Sequence, residues 1–132
     1  MIYTEMTMMA MKIAYNAHLG QLDYNDVPYI FHPYHLAEQM SDEISCTVAL
    51  LHDVVEDTSV TIADLEKKFP KQVVEIVQLL THDNNVDYFD YIREIKTNPI
   101  ATKVKLEDLD ELSLEIKDEA SLKILLQKIK NI

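Results

Sequence analysis

The sequence predicts an all-α protein, and three observations carry that reading. Gly occurs once and Pro four times in 132 residues, too few turn-formers for a chain of many short strands. Leu, Met, Ile, Glu and Lys, a helix-favouring mixture, are plentiful. Apolar residues also recur at intervals of three and four, the spacing of one helix face. At this length the chain reads as one domain over residues 1–132, able to bury roughly two thirds of its unfolded surface.

Taken in order, Glu5 to His18 reads as an amphipathic helix with Met6, Met9, Ile13 and Ala17 on one face and Gly20 just past its end. Asp23 to Tyr29 is polar and turn-like. His32 before Pro33 predicts a helix opening at Pro33 with His32 at its N-cap. Ser41-Asp42 caps a helix that continues through Ala49 to Thr58. Thr61 and Asp64 have capping-box spacing and start a short helix ending near Phe69. Pro70 opens the next, through Val73, Val74, Ile76, Val77 and Leu80. Asp87 to Thr97 and Pro99 to about Leu112 form two more, broken at Asn98-Pro99, and Asp118 to Ile129 places Leu122, Leu125, Leu126 and Ile129 on one side of a last helix.

The stretch from Ala49 to Thr58 is apolar on most sides yet holds His52, Asp53, Glu56 and Asp57. Buried ionisable groups cost several kcal/mol, roughly, unless paired or metal-bound. At about 100° per residue His52, Asp53 and Glu56 share one arc of a helix. A mainly apolar helix that aims a His and acids at one place reads as a site.

The formal charge of −11 argues against duplex DNA or RNA and anionic membrane as partners. It leaves room for a small phosphorylated ligand whose charge a divalent cation offsets. The lone Cys46 forms no internal disulfide and fits a reducing, cytoplasmic setting. The Met-rich start lacks a basic leader, and no apolar run reaches the roughly 20 residues of a membrane span. Homo-oligomerisation stays open.

One further acid stands out. Asp108 falls within an apolar stripe of Ile100, Ala101, Val104 and Leu112, and equally within the acidic run Glu107 to Glu111; periodicity supports both placements alike. His32, His52, Asp53 and Asp108 together make a mixed nitrogen and oxygen donor set, suited to Mn²⁺, Fe²⁺ or another borderline divalent ion. Taken singly, each is more often a structural residue than a ligand.

Three blocks of sequence set the family resemblance. They are Ala17-His18-Leu19-Gly20-Gln21 with Pro28-Tyr29-Ile30-Phe31-His32-Pro33, then Ala49 to Thr58, then Val104-Lys105-Leu106-Glu107-Asp108-Leu109. In this order they resemble the H…HD…D pattern of the HD superfamily of metal-dependent phosphohydrolases, closest to RelA/SpoT-type hydrolase domains and small alarmone hydrolases. The resemblance covers about residues 5 to 110, leaving 113–132 as a divergent helical extension. It implies a compact helical bundle of the HD-domain type around one Mn²⁺. It also implies removal of the 3′-pyrophosphate from guanosine tetra- or pentaphosphate, with no synthetase activity. Carried over by position, His32, His52, Asp53 and Asp108 are the metal ligands. Glu56 and Asp57 orient or deprotonate the attacking water.

Three departures from that pattern stand out. Asp23-Tyr24 stands where these hydrolases carry a basic pair, Asp26 where they have Gly, and Leu112 where they have Asn. The departures fall among nucleotide-holding residues, so two alternatives accompany the hydrolase reading. One is a metal-binding module with a regulatory role, and the other is a phosphohydrolase for another phosphorylated metabolite. Arg93 (the one Arg in the chain), Lys96 and Tyr24 are candidate substrate contacts. His18 reads as a helix-terminus residue, His35 and His82 as peripheral, and Tyr29 and Tyr88 as packing residues.

Overall fold

The computed structural model describes residues 1–115 and 119–130. Those residues form α1 (Glu5–Ala17), α2 (Phe31–Glu38), α3 (Glu43–Leu51), α4 (Val54–Asp57), α5 (Ile62–Glu66), α6 (Lys71–Leu80), α7 (Tyr88–Ile95), α8 (Pro99–Glu115) and α9 (Glu119–Lys130). Among the described residues the only β pairing is an isolated antiparallel bridge between Leu22 and Pro28. The protein is all-α. No described helix is long and apolar enough to cross a membrane.

α3 is the centre of the bundle and packs against α1, α2, α6 and α8. The Asp42 carboxylate accepts the Ser45 backbone N–H at 2.8 Å and starts it. Every residue from Ser45 to Leu51 is then buried, which is why this helix is apolar all round. The buried hydroxyl of Thr47 donates to the Glu43 carbonyl at 2.8 Å, so it costs the core little. Leu36, Val73, Ile76, Val77, Ile92, Ile95, Ala101 and Val104 are buried in the same core as the α3 side chains. Each large side chain buried this fully contributes about 1.5–3 kcal/mol.

α1 meets α3 through small residues. Thr7, Ala10 and Ala14 are its buried positions, while Met6, Met9, Ile13 and Ala17 flank them half-buried. The buried seam is thus shifted from the face that the large apolar residues define, because small side chains let two helices approach. Thr61 and Asp64 form the predicted capping box, though the helix ends at Glu66 and Phe69 is buried in the turn beyond.

Two departures from the predicted helices shape the site. α2 begins at Phe31 after Ile30, so His32 lies inside its first turn rather than at the N-cap. The central stretch is also not one helix. His52 Nδ1 hydrogen-bonds to the Ala49 carbonyl at 2.6 Å, engaging an acceptor of the helix ladder, and Asp53 adopts φ −109°, ψ −2° before α4 resumes. The break falls on the residue pair His52-Asp53.

The Asn98 side chain accepts the Ile100 and Ala101 N–H groups at 3.0 Å and caps α8, which extends to Glu115. α9 packs on α8. The side chains of the predicted apolar side of α9, Leu122, Leu125, Leu126 and Ile129, and the whole of Asp118, lie outside what is described.

Candidate metal centre

Three elements bring four side chains to one point. His32 comes from the first turn of α2, His52 and Asp53 from the break after α3, and Asp108 from α8. One ligand atom of each lies within 4.8 Å of the others. His32 Nε2 is 2.6 Å from Asp108 Oδ1, and His52 Nε2 is 3.4 Å from the same oxygen and 2.9 Å from Asp53 Oδ2. Both imidazoles therefore present Nε2 inward. His52 Nδ1 is turned to the Ala49 carbonyl at 2.6 Å, while His32 Nδ1 lies 3.5 Å from Glu111 Oε2 and makes no hydrogen bond among the described residues. An imidazole fixed by an acceptor at one nitrogen offers the other as a lone pair, the usual posture of a metal-ligating His.

Asp108 thus faces the site and not solvent, with its side chain 14% exposed. Burial opposes its charge, but the His32 hydrogen bond, the nearby His52 imidazole and the Lys105 ammonium hold its carboxyl well below the usual range. Burial also opposes charge on His32, yet Asp108 and Glu111 raise its pKa to about 9. His52 is likewise raised by Asp53 and Asp108 against burial. The carboxylates of the pocket thus favour positive charge beside both imidazoles. The buried His52 Nε2 nonetheless has no hydrogen-bond partner among the described residues. Two inward nitrogens and two anionic carboxylates fit a borderline divalent cation, which satisfies all four at once. These residues can hold a divalent metal.

The centre opens into a cavity of about 500 Å³, lined among others by Tyr24, Tyr29, Glu56, Asp57, Tyr88, Lys105, Leu112 and Lys128. Glu56 and Asp57 stand at its mouth on α4, each with a ligand oxygen within 4.8 Å of the other's and of Asp53's. Glu56 accepts the His82 backbone N–H at 2.7 Å, which fixes its carboxylate from the far side. Burial, then Asp53 and Asp57, raise its pKa, while that N–H opposes the shift. Asp57 is raised by burial and by Asp53. Two carboxylates that hold protons more readily than usual, beside an open cavity, are suited to proton transfer.

The remaining candidates divide by location. Tyr24 lines the cavity and is 75% exposed. Arg93 and Lys96 are absent from that lining; Arg93 ion-pairs with Asp90 on the exposed surface of α7, and Lys96 is exposed at its end. His35 pairs with Glu38 on an exposed face. His18 is buried, with Nδ1 2.9 Å from Gln21 Oε1. Asp26 has φ +61°, a left-handed backbone conformation that Gly favours. The Asp23 carboxylate accepts the Asn25 and Val27 N–H groups at 2.8 and 3.0 Å and shapes that same turn.

Three residues carry weight here that the sequence did not place at the site. Tyr29 donates its phenol O–H to Asp53 Oδ2. Glu111 sits behind His32, and Lys128 of α9 reaches the cavity with Nζ 5.0 Å from the centre of the Tyr88 ring. Glu111 is one turn from the Asp108 register, a signal available in the sequence. The reach of Lys128 depends on how α9 folds back and carries no sequence signal.

A family model described as the HD domain matches residues 10–112. The chain belongs to the HD domain family. Curated relatives include the bifunctional (p)ppGpp synthase/hydrolase SpoT of Escherichia coli strain K12, 44% identical over 73 residues that make up 52% of this chain and 10% of that protein. A guanosine-3′,5′-bis(diphosphate) 3′-pyrophosphohydrolase of Vibrio cholerae is 44% identical over 69 residues, 49% of this chain and 10% of that protein. The matched part is about a tenth of the length of these relatives. Among solved structures, a metazoan ortholog of SpoT described as hydrolysing ppGpp superposes with a TM-score of 0.80, covering 99% of this chain and 87% of that one. At 23% identity it shows the shared HD-domain fold.

Proposed function

We propose that this HD domain is a divalent-metal phosphohydrolase that removes the 3′-pyrophosphate of guanosine tetra- or pentaphosphate, with Mn²⁺ as its ion. The observation that carries the reading is the convergence of His32, His52, Asp53 and Asp108 beside Glu56 and Asp57 at the mouth of one cavity. The family match and the relatives named for this chemistry support it. A bound ion supplies Lewis-acid polarisation of a phosphoryl oxygen and lowers the pKa of a water. Glu56, steadied by the His82 N–H, accepts the proton of the attacking water as its oxygen bonds to phosphorus and the bond to the ribose 3′ oxygen breaks. Asp57 shares that role.

A cavity lined by Asp23, Asp53, Glu56, Asp57 and Asp108 needs cations to receive phosphates, and Lys105 and Lys128 supply them. Lys105 Nζ is 3.5 Å from Asp108 Oδ2, and that carboxylate raises its pKa against burial, so it stays charged beside the reacting phosphate. Tyr24 and Tyr88 offer aromatic faces for the nucleoside. In this reading α9 belongs to the same single domain and adds Lys128 to the cavity. Incubation of the chain with guanosine tetraphosphate, with Mn²⁺ added or chelated, tests the proposal. Metal-dependent release of pyrophosphate and GDP is expected. Turnover only of other nucleotides or sugar phosphates in a parallel panel moves the assignment to a different phosphorylated metabolite, which Leu112 and Asp23 in the lining favour. Metal binding without turnover of any of them moves it to a regulatory module.

A further inference from the structure

We propose that Tyr29 is a positioning residue of the metal centre, and that the segment from His18 to Pro28 is the scaffold that delivers its phenol to Asp53. The inference rests on the metal-dependent reading above. Tyr29 donates its O–H to Asp53 Oδ2, the oxygen that also lies 2.9 Å from His52 Nε2. A phenol bonded there restrains rotation of the carboxylate and offsets part of its charge. Asp53 sits at a helix break, in a backbone conformation that no ladder of hydrogen bonds holds on both sides, so its side chain gains most from an external restraint.

The surrounding residues hold Tyr29 from several directions. Its backbone N–H donates to the Gln21 carbonyl at 2.8 Å, next to the Leu22–Pro28 bridge. The Asp23 carboxylate and the left-handed Asp26 close the turn between them. The Tyr29 ring lies between two imidazoles, 4.8 Å from His18 and 5.6 Å from His32 by ring centres. His18 is itself fixed by Gln21. This arrangement gives the Ala17–Gln21 and Pro28–Pro33 blocks a shared purpose: one supplies the walls, the other the phenol and a ligand. Outer partners of this kind typically change metal affinity by about 10–100-fold when removed.

The test compares the wild-type chain with Tyr29→Phe, both stripped of metal and titrated with Mn²⁺ by calorimetry. Thermal unfolding of the metal-free forms runs in parallel. Phe retains the ring between the two imidazoles and removes only the hydroxyl. The expected result is Mn²⁺ affinity weaker by about 10–100-fold with an unchanged metal-free melting midpoint. Equal Mn²⁺ affinity overturns the inference. So does a lower affinity that comes with a matching loss of metal-free stability, which would make Tyr29 a packing residue. A variant with wild-type Mn²⁺ affinity and a raised KM alone would make it a substrate contact and likewise overturn it. A wild-type chain that takes up no Mn²⁺ removes the metal reading itself, and this inference with it.

Discussion

His32 and Asp108 are 76 residues apart in the chain, yet His32 Nε2 lies 2.6 Å from Asp108 Oδ1. This contact ties α2 to α8 across the end of α3, and His52 reaches the same oxygen at 3.4 Å. A site assembled from three separate elements exists only when the bundle is packed. Metal binding should therefore stabilise the folded chain, since ligands scattered in the unfolded chain bind the ion weakly.

Glu56→Gln separates proton transfer from metal binding. Gln keeps an oxygen that can accept the His82 N–H but cannot take a proton from water. The expected result is a fall in kcat of about 10²–10⁴-fold with Mn²⁺ affinity unchanged. Steady-state kinetics and calorimetry check it, and intact kcat would remove Glu56 from its role.

Lys128→Ala should raise KM for guanosine tetraphosphate by about tenfold, the equivalent of roughly 1.4 kcal/mol, and leave kcat nearly unchanged. Lys128 reaches the cavity from α9 and is not among the clustered ligand residues. A kcat loss at constant KM would contradict this.

Metal affinity should rise with pH. Carboxylates raise the pKa of His32 from 6.5 to about 9 in the metal-free chain, so its proton stabilises that form fully below pH 6.5. That contribution is lost as pH climbs through 9. An ion needs the unprotonated nitrogen, so it competes with this proton and displaces it. Titrations with Mn²⁺ at pH 6.5, 7.5 and 8.5 should show progressively tighter binding and fewer protons released. Affinity independent of pH would contradict the account.

The core prediction concerns α3. Leu51 is completely buried one residue before His52. Leu51→Ala should destabilise the chain by about 2–5 kcal/mol through lost burial and the cavity left behind. Urea unfolding measures it, and a cost under about 1 kcal/mol would mean the site end of α3 is looser than its packing indicates.

Much of the bundle was legible in the sequence because its elements are locally encoded. The Thr61–Asp64 box, Pro70, and the stripe from Val73 to Leu80 each specify a helix without reference to the rest of the chain. The HD fold and family were likewise legible in the blocks around His32, His52-Asp53 and Asp108. The helix break at His52 was not, since it depends on a side chain capturing the Ala49 carbonyl, and apolar periodicity runs straight through it. The seam of Thr7, Ala10 and Ala14 was hidden for a different reason. Close helix approach selects small residues, whereas periodicity weights large ones. For Asp108, two placements were equal on its own helix, and the partners on α2 and α3 decide between them. Tyr29 and Lys128 gain their places only through tertiary contacts.

The most direct measurement is metal content by elemental analysis after reconstitution with Mn²⁺, for the wild-type chain and Asp108→Asn. The account predicts one ion per wild-type chain and almost none on the variant, because Asp108 is the carboxylate that both histidines face. A wild-type chain without metal, or a variant that keeps its full complement, would contradict it.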